Sequence, residues 1–104
     1  IDVIVTEGYL GKLFSKPPSE LEQEMSFREL ANLHLNWLSA AAPLLPSKGK
    51  IVICTTAYRI GQKLNHFPHF EELALKAGYK ILANFSYSRP DQIVARDIRI
   101  LEKI

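Results

Sequence analysis

The first eleven residues, IDVIVTEGYLG, decide how the rest of the sequence is interpreted. Residues 1–6 are short, β-branched and almost continuously apolar, a pattern typical of a parallel strand that is buried on both faces. Gly8 and Gly11 then bracket a turn, because glycine adopts the backbone conformations that tight turns require. From composition alone, this stretch is a buried strand that ends in a bend, with Glu7 and Tyr9 at its mouth.

The remaining elements follow in a regular order. Further strands are predicted at residues 50–57, 80–87 and 93–102, helices at 26–42 and 68–77, and a connector at 58–66. Alternation of strands with helices favours a parallel sheet, whereas the connection of about five residues before the last strand can join only antiparallel neighbours. The predicted fold is an α/β domain with a mostly parallel four-stranded sheet, one antiparallel strand and helices on its faces.

Local signals mark the ends and the inner face of the two helices. Ser26 and Glu29 match a capping box, so the first helix is predicted to begin at Ser26. Gly78 is predicted to end the second helix in the left-handed conformation. His34 and Trp37 belong to the apolar positions of the first helix. We expect His34 to lie in the core or at its boundary and Trp37 to pack in the core.

Composition restricts the class of protein. The 104 residues are 47% hydrophobic and 23% charged with a net charge of +2, which suits one globular domain and is compatible with a nucleic-acid partner. Cys54 is the single cysteine, so no internal disulfide is expected and a cytoplasmic location is favoured. No apolar run is long enough to cross a bilayer. His66 and His69 lack a cysteine or acidic partner in register, so no metal site is predicted.

Three stretches resemble the carboxyl-terminal half of the Rossmann-like class I S-adenosylmethionine-dependent methyltransferase fold. Residues 2–11 are similar to its fourth strand and the D-P-P-Y-type turn that follows, and residues 44–53 to the entry of its fifth strand. Residues 87–102 resemble the closing hairpin of RNA methylases related to tRNA guanine-N2 methyltransferases. The resemblance spans nearly all of residues 1–104. It implies S-adenosylmethionine as cofactor and RNA, in particular tRNA, as partner.

The resemblance also implies roles for the turn after the first strand. In the family this turn offers oxygen acceptors to the hydrogens of an exocyclic amine and an aromatic ring that stacks on the flipped base. Carried over, Thr6 or Glu7 is the side-chain acceptor, Gly8 supplies a backbone carbonyl, and Tyr9 is the stacking ring. Both family prolines are absent. Counting from the strand start places Glu7 at the acidic position, whereas counting back from Tyr9 places Thr6 there.

Substrate-side residues complete the candidate site. Leu10 belongs to the same turn, and Tyr58 and Arg59 follow the second strand at the edge where ligands bind in open α/β sheets. Arg89, in the closing hairpin, is a candidate phosphate contact. Thr6 is the one candidate cofactor contact, because the glycine-rich loop and acidic strand end that hold S-adenosylmethionine in this fold are not found in residues 1–104.

The sequence therefore predicts the substrate-side half of a nucleic-acid N-methyltransferase, as a single domain or a fragment of a longer protein that is inactive alone. We expect the bare edge of the first strand to be covered by a missing amino-terminal half or by another chain, including a dimer partner. The alternative is a non-catalytic α/β binding or scaffolding module, either a decayed methyltransferase or a subunit completed by a partner. A response-regulator-like domain is disfavoured, since the first strand does not end in aspartate.

Overall fold

The computed structural model describes residues 2–6, 16–88 and 92–104. Within these ranges five strands and two helices follow one another: β1 (Val3–Thr6), α1 (Glu20–Ala41), β2 (Lys50–Ile60), β3 (Lys63–His66), α2 (Phe70–Lys76), β4 (Tyr79–Tyr87) and β5 (Val94–Lys103). A short 3-10 helix, Ala42–Leu44, lies between α1 and β2. The predicted α/β class is confirmed. Neither helix is long and apolar enough to cross a membrane.

All five described strands belong to one sheet. Its order is β1-β2-β5-β4, and β3 pairs with the far end of β2. Only β1 and β2 form a parallel pair, and the other pairs are antiparallel. The prediction of a mostly parallel four-stranded sheet is therefore wrong. The reversed strand β5 lies between β2 and β4, which share one direction, so a single reversed strand converts two neighbouring pairs into antiparallel ladders.

The fifth strand arises from a hairpin where the sequence pattern predicts a connector. β2 continues to Ile60, and a two-residue turn of Gly61 and Gln62 leads into β3. Gly61 has a φ of 64°. Glycine adopts this conformation without the steric cost that a side chain would add. A glycine in a two-residue turn between two short runs is the local signal for this hairpin.

Helix α1 begins earlier than predicted. Ser19 is its N-cap, and its hydroxyl accepts from the backbone N–H of Glu22 at 3.2 Å, while the carboxylate of Glu22 accepts from the N–H of Ser19 at 2.9 Å. The expected start at Ser26 is wrong, because Ser26 is buried inside the helix and its hydroxyl lies 2.5 Å from that of Tyr58. The Ser-x-x-Glu pattern occurs twice, and the first copy forms the cap.

The core lies between one face of the sheet and both helices, which also contact each other. Leu30 and Leu38 of α1 are fully buried there, together with Ala74 of α2. Tyr79 of β4 donates a hydrogen bond to the carbonyl of Leu38 at 2.8 Å. Trp37 is 36% exposed, so its predicted place in the core is wrong. Helix α1 turns its positions 27, 30, 34, 38 and 41 toward the sheet instead.

The opposite face of the sheet carries exposed apolar side chains. Ile4 packs against the core, so its neighbours Val3 and Val5 point the other way, and Val5 is 73% exposed. Phe85 and Tyr87 of β4 are also exposed. No element of the described ranges covers this face. The expectation of helices on both faces is therefore met on one face only.

Helix α2 is shorter than predicted at its amino end. It begins at Phe70, after a turn in which His69 has a left-handed φ of 56°. It ends before Gly78, which has a φ of 99°. The predicted left-handed glycine after this helix is confirmed.

Candidate functional site at the carboxyl edge of the sheet

Strands β1, β2 and β4 run in the same direction, so their carboxyl ends point toward the same edge of the sheet, although β1 ends level with the first half of β2. Ligands bind outside this edge in open α/β sheets. Thr6, a predicted site residue, is the last residue of β1, is half-buried and pairs with Ile53 of β2. The other predicted residues of the turn (Glu7, Gly8, Tyr9 and Leu10) and Arg89 lie outside the described residues.

The two predicted substrate residues at the end of β2 have structural partners. Tyr58 is fully buried: its ring centroid lies 5.3 Å from that of Phe27, and its hydroxyl contacts Ser26. Arg59 donates from Nε to the carbonyl of Gln92 at 3.3 Å, which ties β2 to the segment before β5. Tyr58 would have to leave the core to reach a ligand. Substrate binding by Tyr58 and Arg59 stays a prediction.

A second group of polar residues lines a cavity near the same edge. The cavity has a volume of about 670 Å³ and lies between the start of α2 and strands β3, β4 and β5. We call it the Asp97 cavity, after the acidic residue at its centre. Among the described residues, no three His, Cys, Asp or Glu side chains are grouped so as to hold a metal ion. Its lining residues are His66, Phe67, His69, Phe70, Glu71, Glu72, Leu75, Asn84, Ser86, Asp97 and Arg99.

Asp97 organises this cavity. Its carboxylate is buried, with Oδ2 2.7 Å from Nδ1 of His66 and Oδ1 accepting from the hydroxyl of Ser86 at 2.8 Å. Nη2 of Arg99 lies 3.7 Å from Oδ2. Because an ionised carboxylate only accepts hydrogen bonds, Nδ1 of His66 must carry a proton. In the neutral ring, Nε2 then holds a lone pair, and the His66 side chain is 49% exposed.

Arg99 forms a fixed part of the cavity floor. It donates from Nε to the hydroxyl of Thr55 at 3.0 Å and from Nη1 to Oδ1 of Asn84 at 3.2 Å. Its guanidinium carbon lies 4.8 Å from the centre of the Phe70 ring. Burial lowers the pKa of Arg99, and the charge of Asp97 opposes this shift. The guanidinium stays protonated and holds three elements together.

A β-bulge aims two polar side chains of β4 into this cavity. The pairing of β4 with β5 shifts by one residue between Ile81 and Ala83. Ile81 packs against the core, yet Asn84 and Ser86 also point to the helix side, where they meet Arg99 and Asp97. Strict alternation from Ile81 would place Asn84 and Ser86 on the opposite face. The extra residue therefore builds this side of the cavity.

His34 lies deeper, behind the aromatic wall of the cavity. Its ring centroid is 5.5 Å from that of Phe67 and 6.2 Å from that of Phe70. The predicted burial of His34 is confirmed, but its Nε2 is buried without a hydrogen-bond partner in the described part of the chain. Burial lowers the pKa of His34 to about 4, and the positive charge of Arg99 acts in the same direction. His34 is therefore neutral at pH 7.

Sequence reasoning missed the Asp97 group, although part of the signal is present. Asp97 and Arg99 alternate with Ile98 and Ile100, which predicts two chemically different faces on the last strand. The pattern alone assigns the charged face to solvent. In the structure this face points toward the helices, and His66 reaches it from a hairpin 31 residues earlier in the chain.

The fold is similar to that of a Thermus thermophilus protein that is provisionally assigned as a DNA modification methylase. The two structures share 20% sequence identity with a TM-score of 0.51, and the match covers 99% of this chain and 44% of that protein. A structure of the same protein in complex with S-adenosyl-L-methionine gives 16% identity and a TM-score of 0.46, with 97% and 44% covered. No family model and no curated protein matches this chain. The chain thus has the fold of part of this methylase and spans less than half its length.

Proposed function

We propose that the chain is the substrate-side part of an S-adenosylmethionine-dependent methyltransferase that acts on an exocyclic amine of a nucleic-acid base. The expected target is guanine N2 in tRNA. The observation that carries the proposal is the strand order β1-β2-β5-β4, with a parallel β1–β2 pair and one reversed strand inserted before β4. This order supports the resemblance on which the chemistry of the turn after β1 rests.

In the proposed reaction, the turn after β1 orients the amine. The lone pair of such an amine is delocalised into the ring, so the enzyme must hold the hydrogens and free the lone pair for attack. Thr6 or Glu7 would accept one hydrogen and the carbonyl of Gly8 another, while Tyr9 stacks on the base. Catalysis of this kind comes from positioning and electrostatics, without a covalent enzyme intermediate. Leu10, Arg59 and Arg89 would contact the substrate nearby.

S-adenosylmethionine would supply the electrophilic methyl group, and the family holds it with a glycine-rich loop that is not found in residues 1–104. The three described glycines all serve other purposes. Gly61 and Gly78 have positive φ in turns, and a Cβ on Gly49 would lie 2.9 Å from the carbonyl of Pro46. Thr6 is the one proposed contact. We therefore propose that the cofactor is held mainly by residues outside this chain and that the chain alone is inactive.

The exposed edge and open face of the sheet support a completing partner. β1 pairs only with β2 among the described strands, and Val3 and Val5 beside its free edge are at least half exposed. Unpaired strand edges tend to pair or to be covered. We propose that the rest of a longer protein, or another chain such as a dimer partner, covers this edge in the cytoplasm.

The test is methyl transfer by the complete protein. It would be incubated with methyl-labelled S-adenosylmethionine and either a tRNA transcript or the same transcript with inosine in place of guanosine. Inosine lacks the N2 amine, so we expect label only in the guanosine transcript. Tyr9→Phe should retain activity, whereas Tyr9→Ala should lose roughly 5- to 100-fold, the value of one base–aromatic stack. Full activity of Tyr9→Ala would remove Tyr9 from the site, and equal labelling of both transcripts would refute guanine N2 as the target.

A non-catalytic binding or scaffolding module is the second candidate. It is favoured by Gly8, which stands where the family has a proline. Proline fixes the backbone angle φ, and glycine does not. Calorimetry of the complete protein with S-adenosylmethionine separates the two proposals. Cofactor binding supports the enzyme, and nucleic-acid binding without cofactor binding supports the module.

A further inference from the structure

We infer that the Asp97 cavity is a binding site for an uncharged nitrogen heterocycle of nucleobase or nucleoside size, with Nε2 of His66 as its central hydrogen-bond acceptor. This site is distinct from the turn after β1. The inference does not depend on the proposed methyl transfer.

The first argument is the fixed orientation of His66. This residue lies on a short edge strand and its side chain is half exposed, so packing alone restrains the orientation of its ring only weakly. Nevertheless, the buried carboxylate of Asp97 accepts its Nδ1–H at 2.7 Å. Burying a carboxylate is unfavourable unless partners satisfy it, and Asp97 also uses Ser86 and Arg99 for this purpose. With Nδ1–H bound to Asp97, the neutral form of the His66 ring directs its Nε2 lone pair to a ligand that donates an N–H or O–H.

The second argument is the unused hydrogen-bonding capacity beside His66. Oδ1 of Asn84 accepts from Arg99, which leaves the amide NH₂ as a donor. The hydroxyl of Ser86 donates to Asp97, which leaves its oxygen lone pairs as acceptors. The cavity therefore offers acceptors at His66 and Ser86 and a donor at Asn84. The edges of nucleobases present donors and acceptors in complementary alternation.

The third argument is charge and size. Arg99 and Asp97 compensate each other, whereas Glu71 and Glu72 at the start of α2 add uncompensated negative charge among the described lining residues. This balance disfavours an anionic group such as a phosphate and is compatible with an uncharged ring. A volume of about 670 Å³ is within the range of small-molecule sites and exceeds the needs of a single ordered water or ion.

The inference is tested by NMR titration of the complete protein with four nucleosides and their 5′-monophosphates, without S-adenosylmethionine. We expect at least one nucleoside to shift the amide signals of His66, Asn84 and Ser86. The 5′-monophosphate of that nucleoside should bind several-fold more weakly. The double variant E71Q/E72Q should reduce this difference in affinity, because it removes two negative charges beside the cavity. His66→Leu should weaken nucleoside binding about tenfold, the loss expected when one buried hydrogen bond is removed.

Lys63→Leu is the control, because Lys63 is an exposed residue of the same strand β3 and does not line the cavity. It should leave nucleoside binding unchanged. Asp97→Asn should remove the preference of His66 for the Nδ1–H tautomer, which is measured from the chemical shifts of the ring nitrogens. It should also weaken nucleoside binding. Ser86→Ala provides an independent variant if Asp97→Asn unfolds the chain. The inference is overturned if no nucleoside shifts these signals, if the monophosphates bind more tightly, or if Lys63→Leu and His66→Leu have equal effects.

Discussion

His34 should make the free energy of unfolding fall as the pH drops below about 6.5. Its side chain is 3% exposed, and burial lowers its pKa to about 4 from the usual value of 6.5. Between these two values the unfolded chain binds a proton on His34 that the folded chain does not bind. Linkage then requires that folding stability is fully present above pH 6.5 and is lost as the pH falls toward 4.

The size of this loss follows from the two pKa values. At about 1.36 kcal/mol per pH unit, the free energy of unfolding falls by about 1.8 kcal/mol between pH 7 and pH 5, and by about 3 kcal/mol at pH 4. Typical domains have only about 5–15 kcal/mol of stability. A single histidine would therefore remove a substantial fraction of the stability under mildly acidic conditions.

Urea denaturation at pH 7 and pH 5 measures this contribution. His34→Leu should remove about 1.8 kcal/mol of the fall between the two pH values, because leucine does not titrate. It should be at least as stable as the wild type at pH 7, since the unpartnered Nε2 is no longer buried. The control is His69→Asn, which removes an exposed imidazole and should keep the full dependence. An equal fall for the wild type and His34→Leu would refute the assignment.

Three further changes test the packing by the same denaturation assay. Ser26→Ala should destabilise the chain by about 1–2 kcal/mol by leaving the buried hydroxyl of Tyr58 without this partner, and Ser26→Ala should cost less in a Tyr58→Phe background. Ser19→Ala should cost about 1 kcal/mol through loss of the capping box of α1, whereas Ser47→Ala in an exposed turn should be nearly neutral. Gly78→Ala should lower the free energy of unfolding by about 1 kcal/mol or more, because Gly78 has a φ of 99°, which alanine adopts only with strain. An unchanged free energy of unfolding would contradict this strain.

Four of the five described strands were predictable because each contains a compact apolar run between turn residues, whereas β3 lies where a connector was predicted. Even the reversal of β5 follows from the short connection before it. The local sequence pattern does not indicate which strands pair with each other. In particular, it does not indicate that β5 is inserted between β2 and β4. Likewise, two Ser-x-x-Glu patterns compete for the start of α1. The choice of Ser19 depends on the burial of Ser26 against Tyr58, a tertiary contact.

The candidate site was predictable only where it is local in sequence. The turn after Thr6 is identified by a contiguous stretch, whereas the Asp97 group joins β3, β4 and β5. Its assembly also requires the β-bulge after Ile81, because that one extra residue decides which face Asn84 and Ser86 occupy. The sequence pattern of β4 predicts regular alternation of its side chains between the two faces. It does not show the single extra residue that shifts the pairing of β4 with β5.

The reversed strand also determines how the two candidate sites lie relative to each other. Because β5 runs opposite to β4, its early residues Asp97 and Arg99 pair with residues near the end of β4. On the other side they pair with Thr55 and Ile53, which lie five and seven residues before the end of β2 at Ile60. Thr6 pairs with Ile53, and Ile53 pairs with Arg99, so these residues form one row across three strands. At about 4.8 Å per strand, Thr6 and Arg99 are about 10 Å apart along the sheet. Thr6, the last described residue before the proposed turn, and Arg99, in the lining of the Asp97 cavity, are therefore close to each other without coinciding. Because the two sites use different residues, Tyr9→Ala and His66→Leu test them independently.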